Sequence, residues 1–221
     1  MRGNMSEIAK RRAAAAASAE NNPAYREKQE AIRRAAGKVF HQRGFHATKL
    51  NDVAEAAGVD RASLYYYVGS KEQLFRDVVG EAVRANIEAT QQIVAEDLPA
   101  PEKLTRIIRQ LMLSFEKYYP YLYVFVQEDF VKLKDENSLD NEWMTTVLEW
   151  NTIYFKLVRG IINEGIQKGQ LRTPLPAGIV ANCLIGMLNY SNLWFQPEGI
   201  LDAEEIARGM STILLKGLEV D

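Results

Sequence analysis

The chain has 221 residues, of which 47% are apolar, 25% charged and 10% aromatic, the balance of an ordinary globular protein long enough to bury its own core. A single cysteine, Cys183, excludes an internal disulfide framework, and two histidines, His41 and His46, exclude a three-histidine metal site within one chain, so neither a metal nor a cofactor is expected. The net charge of −2 is unevenly spread: residues 1–80 hold 14 Lys/Arg against 9 Asp/Glu, and residues 81–221 hold 13 against 20, which points to a polyanionic partner for the first part only. No apolar run approaches the roughly 18–20 residues of a membrane span. No apolar stretch follows the basic residues near Met1, so a cytoplasmic, reducing compartment is expected.

Helical periodicity runs through the chain, and no run of alternating β-branched residues interrupts it, so an all-α fold of about nine helices is expected. The seven prolines, Pro23 to Pro197, fall between periodic segments. Residues 1–24, with Lys10-Arg11-Arg12 and Ala13–Ala17, bury no face and read as a disordered basic arm, either touching DNA or merely solvated. The first helix spans about 25–43, with Ile32, Ala35, Ala36, Val39 and Phe40 on one stripe. Gly44 then takes the left-handed position after its end, so that Phe45 folds back on Phe40. The second spans about 49–57, with Thr48 as N-cap and Asp52 in the first turn. Asp60 caps a short third helix at about 61–67, where Val59 can meet Leu64. Ser70 with Gln73 opens a fourth that reaches about residue 95.

Beyond Pro99 and Pro101 a fifth helix at about 102–118 buries Leu104, Ile107, Ile108, Leu111, Met112 and Phe115. Further helices follow at about 121–134, 139–168 and 176–195. The last, at about 203–218, is capped by Asp202 with Glu205 three residues on. Four segments are expected: the arm (1–24), a DNA-binding unit (25–70), a connecting helix (71–100) and an effector-binding and dimerisation domain (101–221).

Residues 44–74 carry the function. Two short helices joined by a tight glycine turn and braced by a third form a helix-turn-helix, whose second short helix lies in the major groove. Arg61, Ala62 and Ser63 stand at its leading end; arginine pairs with guanine, alanine touches a thymine methyl, and serine takes either role. Tyr65 and Tyr67 offer hydroxyls to phosphates, while Tyr66 is expected in the core. Thr48, Lys49 and Lys71 sit at helix starts, where backbone N–H groups and positive charge favour phosphate. The competing reading of the motif is a packing corner without DNA.

This stretch resembles the DNA-binding domain of the TetR family of transcriptional regulators. The resemblance rests on Gly44-Phe45, Thr48, Val53-Ala54, Ala57-Gly58-Val59, Leu64-Tyr65, Tyr67 and Ser70-Lys71-Glu72 with Leu74. Asp60 stands where serine is commoner, and Val68-Gly69 where an aromatic usually comes first. The resemblance implies an α-helical homodimer that represses from a palindromic operator and releases DNA when a small effector binds its C-terminal domain.

In that domain Tyr119, Tyr123, Phe130, Trp150, Tyr154, Tyr190 and Trp194 line either an apolar effector pocket or simply the core. The strings YPYLYVFVQEDF and NLWFQPEG resemble the subgroup of that family that responds to acyl-CoA thioesters. Arg159 and Arg172 either meet an acidic group of such a ligand or are solvated. The helix at 176–195 is apolar almost all round, so Val180, Leu184, Met187 and Leu188, with Met210, Ile213 and Leu214 from the last helix, are expected at a dimer interface, the competing reading being burial inside one subunit. Two other classes stay open: a protein that coats DNA without sequence preference, and an α-helical enzyme using Glu128 and Asp129. A Cys–His pair is not expected to serve the latter, because both histidines lie in the DNA-binding part.

Overall fold

The computed structural model describes residues 22–127 and 141–216. Nine α-helices occupy them: α1 (Pro23–Ala47), α2 (Leu50–Ala56), α3 (Arg61–Val68), α4 (Lys71–Ala95), α5 (Ala100–Lys117), α6 (Tyr121–Gln127), α7 (Asn141–Gln167), α8 (Ala177–Tyr190) and α9 (Ala203–Leu215). A 3₁₀ turn, Ser191–Leu193, follows α8. The expected arm lies outside the described residues up to its last three; Asn22 caps α1 and Pro23 opens it. Phe130, Glu128 and Asp129 also lie outside them.

Local signals place the helix starts. Asp60 accepts from the Ser63 N–H, Ser70 from Gln73 and Asp202 from Glu205, each relieving an amide that the first turn leaves bare. The end of α1 differs from expectation. Gly44 breaks its helical path at φ 75°, ψ 167°, a region essentially closed to residues with a Cβ rather than the left-handed helical one. The turn still delivers Phe45 onto Phe40, with ring centroids 6.1 Å apart.

Apolar residues gather into two clusters. The first joins α1, α2, α3 and the start of α4 around Phe40, Phe45, Leu64, Leu74 and Phe75. It does not close by itself: Val124 of α6 and Trp143, Met144 and Val147 of α7 belong to it. The second fills the space between the rest of α4 and α5, α7, α8 and α9. Tyr121, Phe125 and Trp150 pack against both. The boundary expected at residue 70 therefore separates local elements but not the cores.

The short helix α6 joins the two cores beside α4 and α7. A Cβ at Gly37 would stand 2.5 Å from the Tyr121 ring, so the bare backbone of α1 makes room for that ring. Gln127 at the other end of α6 donates from Nε2 to the Phe40 carbonyl at 3.1 Å, and His41 Nδ1 meets its Oε1 at 3.2 Å. Between α1 and α4, Arg33 reaches Glu81 at 2.6 Å. Replacing glycine by alanine inside a helix ordinarily stabilises by up to about 1 kcal/mol. Gly37→Ala is expected to reverse that sign and cost ~1–3 kcal/mol through overpacking against Tyr121, read as a lower midpoint of denaturant unfolding.

Candidate functional site

The reading helix α3 stands on α2 through a four-residue turn. The Gly58 N–H donates to Glu55 O at 3.1 Å and the Val59 N–H to Ala54 O at 3.0 Å, which fixes the angle between the helices. Leu64 and Val68 anchor α3 in the core, leaving Arg61, Ala62, Tyr65 and Tyr66 exposed and Ser63 half-buried. Arg61 lies over the Tyr65 ring, 5.6 Å from its centroid, so the guanidinium is shelved rather than free-swinging. Asp60 takes both the backbone N–H and the hydroxyl of Ser63, and these bonds hold its carboxyl below the usual range. The Ser63 hydroxyl is thus engaged within the helix cap.

Three of the expected positions differ in their placement. Thr48 is 1% exposed; it is the last residue of the α1 turn, not the cap of α2, and its hydroxyl donates to Gly44 O at 2.8 Å. Lys49 occupies the cap position instead, exposed, with its backbone N–H on Asp52 at 2.9 Å. Lys71 points inward. Its ammonium donates to the Phe45 carbonyl at 3.0 Å and the Thr48 carbonyl at 3.2 Å, and sits 4.3 Å from the Phe45 ring centroid. The broken end of α1 leaves those carbonyls without helical donors, and the ammonium supplies them. Tyr66 is the third: it is 63% exposed rather than buried, because Leu64 and Val68 take the inward face of α3. Tyr67 is half-buried and stacks on Tyr25, centroids 4.8 Å apart, a partner the sequence offered no way to choose.

A cavity lies in the other core. Helices α4, α5, α6, α7 and α8 surround it, and its volume of about 510 Å³ is within the ordinary range for small-molecule sites. Of the seven aromatics expected there, Trp150 and Tyr154 line it. Tyr123 is instead a core residue whose hydroxyl donates to Phe195 O at 3.1 Å. Tyr119 is a partly exposed neighbour of His41, and Tyr190 and Trp194 face outward. Phe130 lies outside the described residues. Phe125 and Phe155 line the cavity, as do four amides, Asn86, Asn151, Asn182 and Asn189, which periodicity alone could not single out. Arg159 and Arg172 do not line it, and no charged side chain does among the described residues.

Helix α8 divides its apolar residues between two faces. Val180, Leu184 and Leu188 are buried within the protomer, as is Met210 of α9; Met187 and Leu214 are half-buried. Of the residues expected at an interface, only Ile213 is exposed. Ile179, Cys183, Gly186 and Tyr190 form the exposed stripe of α8, and Ile213, 74% exposed, stands out from α9. The inward stripes of α8 and α9 fill the second core, and the opposite stripes are left exposed.

Residues 32–78 match the family model described as bacterial regulatory proteins, tetR family, and residues 97–218 match the tetracyclin repressor-like C-terminal domain. The chain belongs to the TetR family. It is a DNA-binding transcriptional regulator, and members of this family are not enzymes. It is 25% identical to the HTH-type transcriptional repressor KstR2 of Rhodococcus jostii over 183 residues, covering 83% of this chain and 87% of that one. The ketosteroid transcriptional regulator KstR2 of Mycobacterium tuberculosis has a similar fold, with a TM-score of 0.79 at 22% identity over 87% of this chain and 95% of that one. So has AibR in complex with isovaleryl coenzyme A and operator DNA, with a TM-score of 0.68 at 22% identity over 84% and 97%. Among the described residues no helix is long and apolar enough to cross a membrane.

The inward Lys71 yields a measurable consequence. Lys71→Met is expected to lower stability by ~1–3 kcal/mol, since it strips a charged donor from two carbonyls. A solvated phosphate-binding lysine would leave the unfolding midpoint unchanged.

Proposed function

We propose that this protein is a homodimeric repressor that binds a palindromic operator through α3 and leaves it when a small, largely apolar effector enters the cavity beneath α6. The observation that carries this reading is the position of α6: Leu122, Phe125 and Val126 line the cavity, while Tyr121, Val124 and Gln127 hold α1. One short helix thus touches both the ligand space and the brace of the reading head. A ligand that fits only one placement of α6 favours the matching placement of α1 and draws the dimer toward it.

On this reading Arg61 and Ala62 meet base edges, while Lys49, Tyr65 and Tyr66 face the phosphates. Ser63 reaches a base only if its hydroxyl leaves Asp60. Thr48, Tyr67 and Lys71 position the helices rather than touch DNA. The exposed apolar stripe of α8 and Ile213 of α9 form the twofold interface, which sets the spacing of the two reading helices. The occupant of the cavity is an acyl group in the simplest case, which fits the acyl-coenzyme A bound by AibR and the apolar walls here.

The decisive experiment is selection from a random DNA pool with the ligand-free protein, followed by sequencing. An enriched palindrome is the expected result; binding without enrichment would favour a DNA-coating protein. Arg61→Ala is expected to relax one position of each half-site and weaken specific binding by ~1–3 kcal/mol. Ile179→Glu with Ile213→Glu is expected to yield a monomer by sedimentation and at least about a tenfold loss on the full palindrome, because linked half-sites no longer reinforce each other. A variant that remains dimeric would displace the proposed interface.

A further inference from the structure

The inner end of the cavity carries two polar groups for which the protein itself provides no hydrogen bond. Asn86 of α4 is 7% exposed, and its Oδ1 is shut from solvent without a hydrogen-bond partner. The Tyr154 hydroxyl of α7 is likewise enclosed and unpaired. Both residues line the cavity. Burial pushes the Tyr154 hydroxyl well above its ordinary titration range, opposed only by a loose contact with the Asn86 side chain that falls short of a well-formed hydrogen bond. Tyr154 is therefore neutral, able to donate one hydrogen bond and accept another.

An unmatched buried polar group costs about 1–3 kcal/mol, so two at one point mark either strain or a recognition site. Their chemistry is complementary to a single atom: an oxygen between them can accept from the Tyr154 hydroxyl and donate to Asn86 Oδ1. A hydroxyl does both; a carbonyl instead accepts from both, once the Asn86 amide is turned to present its N–H. A carboxylate does not fit, because the described lining holds no cation to offset its desolvation.

Resting on the effector reading above, we propose that Asn86 and Tyr154 form the specificity-determining pair of the cavity and select an effector whose buried part is apolar but carries one uncharged oxygen, a hydroxyl or a carbonyl. The surrounding walls, Val83, Ile87, Leu111 and Phe125, contribute affinity for any apolar body of the right size. The pair decides which of those bodies is held.

Three probes of one chain length separate the possibilities: 1-octanol, 1-chlorooctane and octanoate, each titrated against the full chain by the fluorescence of Trp150 and its neighbours and checked by calorimetry. Octanol is expected to bind at least tenfold more tightly than chlorooctane or octanoate. Tyr154→Phe, which keeps the ring packing, is expected to lose about five- to tenfold for octanol and little for chlorooctane, the loss of one hydrogen bond. Asn86→Leu is expected to do the same and serves as the independent variant, with 2-octanone reporting the carbonyl arm. If wild type binds all three probes alike, or both variants hold octanol unchanged, the pocket reading stands and this selectivity falls. If wild type binds none of the probes, both readings fall together.

Discussion

Gly37 leaves a gap in the side of α1, and the ring of Tyr121 occupies it. This contact lets a seven-residue helix lie flush against the DNA-binding bundle, close enough for Gln127 to bond the Phe40 carbonyl. Without that approach α6 could not also wall the cavity, and only α4 and α7 would join the two apolar cores. Dense packing makes such an arrangement stiff, which is what the proposed coupling through α6 requires.

The reading head depends on a second constraint. The chain must leave α1 abruptly to enter α2, and Gly44 makes the break in a backbone region that other residues avoid. A break leaves carbonyls without donors. Thr48 takes one of them and Lys71 two others, the latter reaching back from the first residue of α4. A basic residue that charge alone would assign to phosphate thus ties α4 to the turn between α1 and α2. The net result is a head whose exposed basic groups, Arg61 and Lys49, sit on a frame held by buried and half-buried ones.

On the proposed reading, an apolar wall and a polar point divide the work of recognition in the cavity. Burying apolar surface is favourable for any ligand that fits, and so discriminates poorly. Asn86 and Tyr154 contribute little affinity by themselves but leave a penalty whenever their partner is missing. Placing them on α4 and α7, two of the three longest helices, holds them on rigid elements rather than on loops.

The sequence by itself determined the features that are local. Helix starts follow from Asp60 with Ser63, Ser70 with Gln73 and Asp202 with Glu205, because a cap bonds only three residues away. The helix-turn-helix was legible for the same reason, since its glycine turn and two short helices occupy one continuous stretch. Tertiary structure alone decided which way each side chain faced where several faces were apolar. In α8 both stripes read alike, and only packing sent Val180, Leu184 and Leu188 inward while leaving Ile179 and Tyr190 outside. It also decided that Tyr123 is core and Phe125 lining, that Lys71 turns inward, and that Asn86 meets Tyr154 across 68 positions of chain. Those outcomes depend on contacts between distant segments, and a periodic pattern within one helix carries no record of its partners.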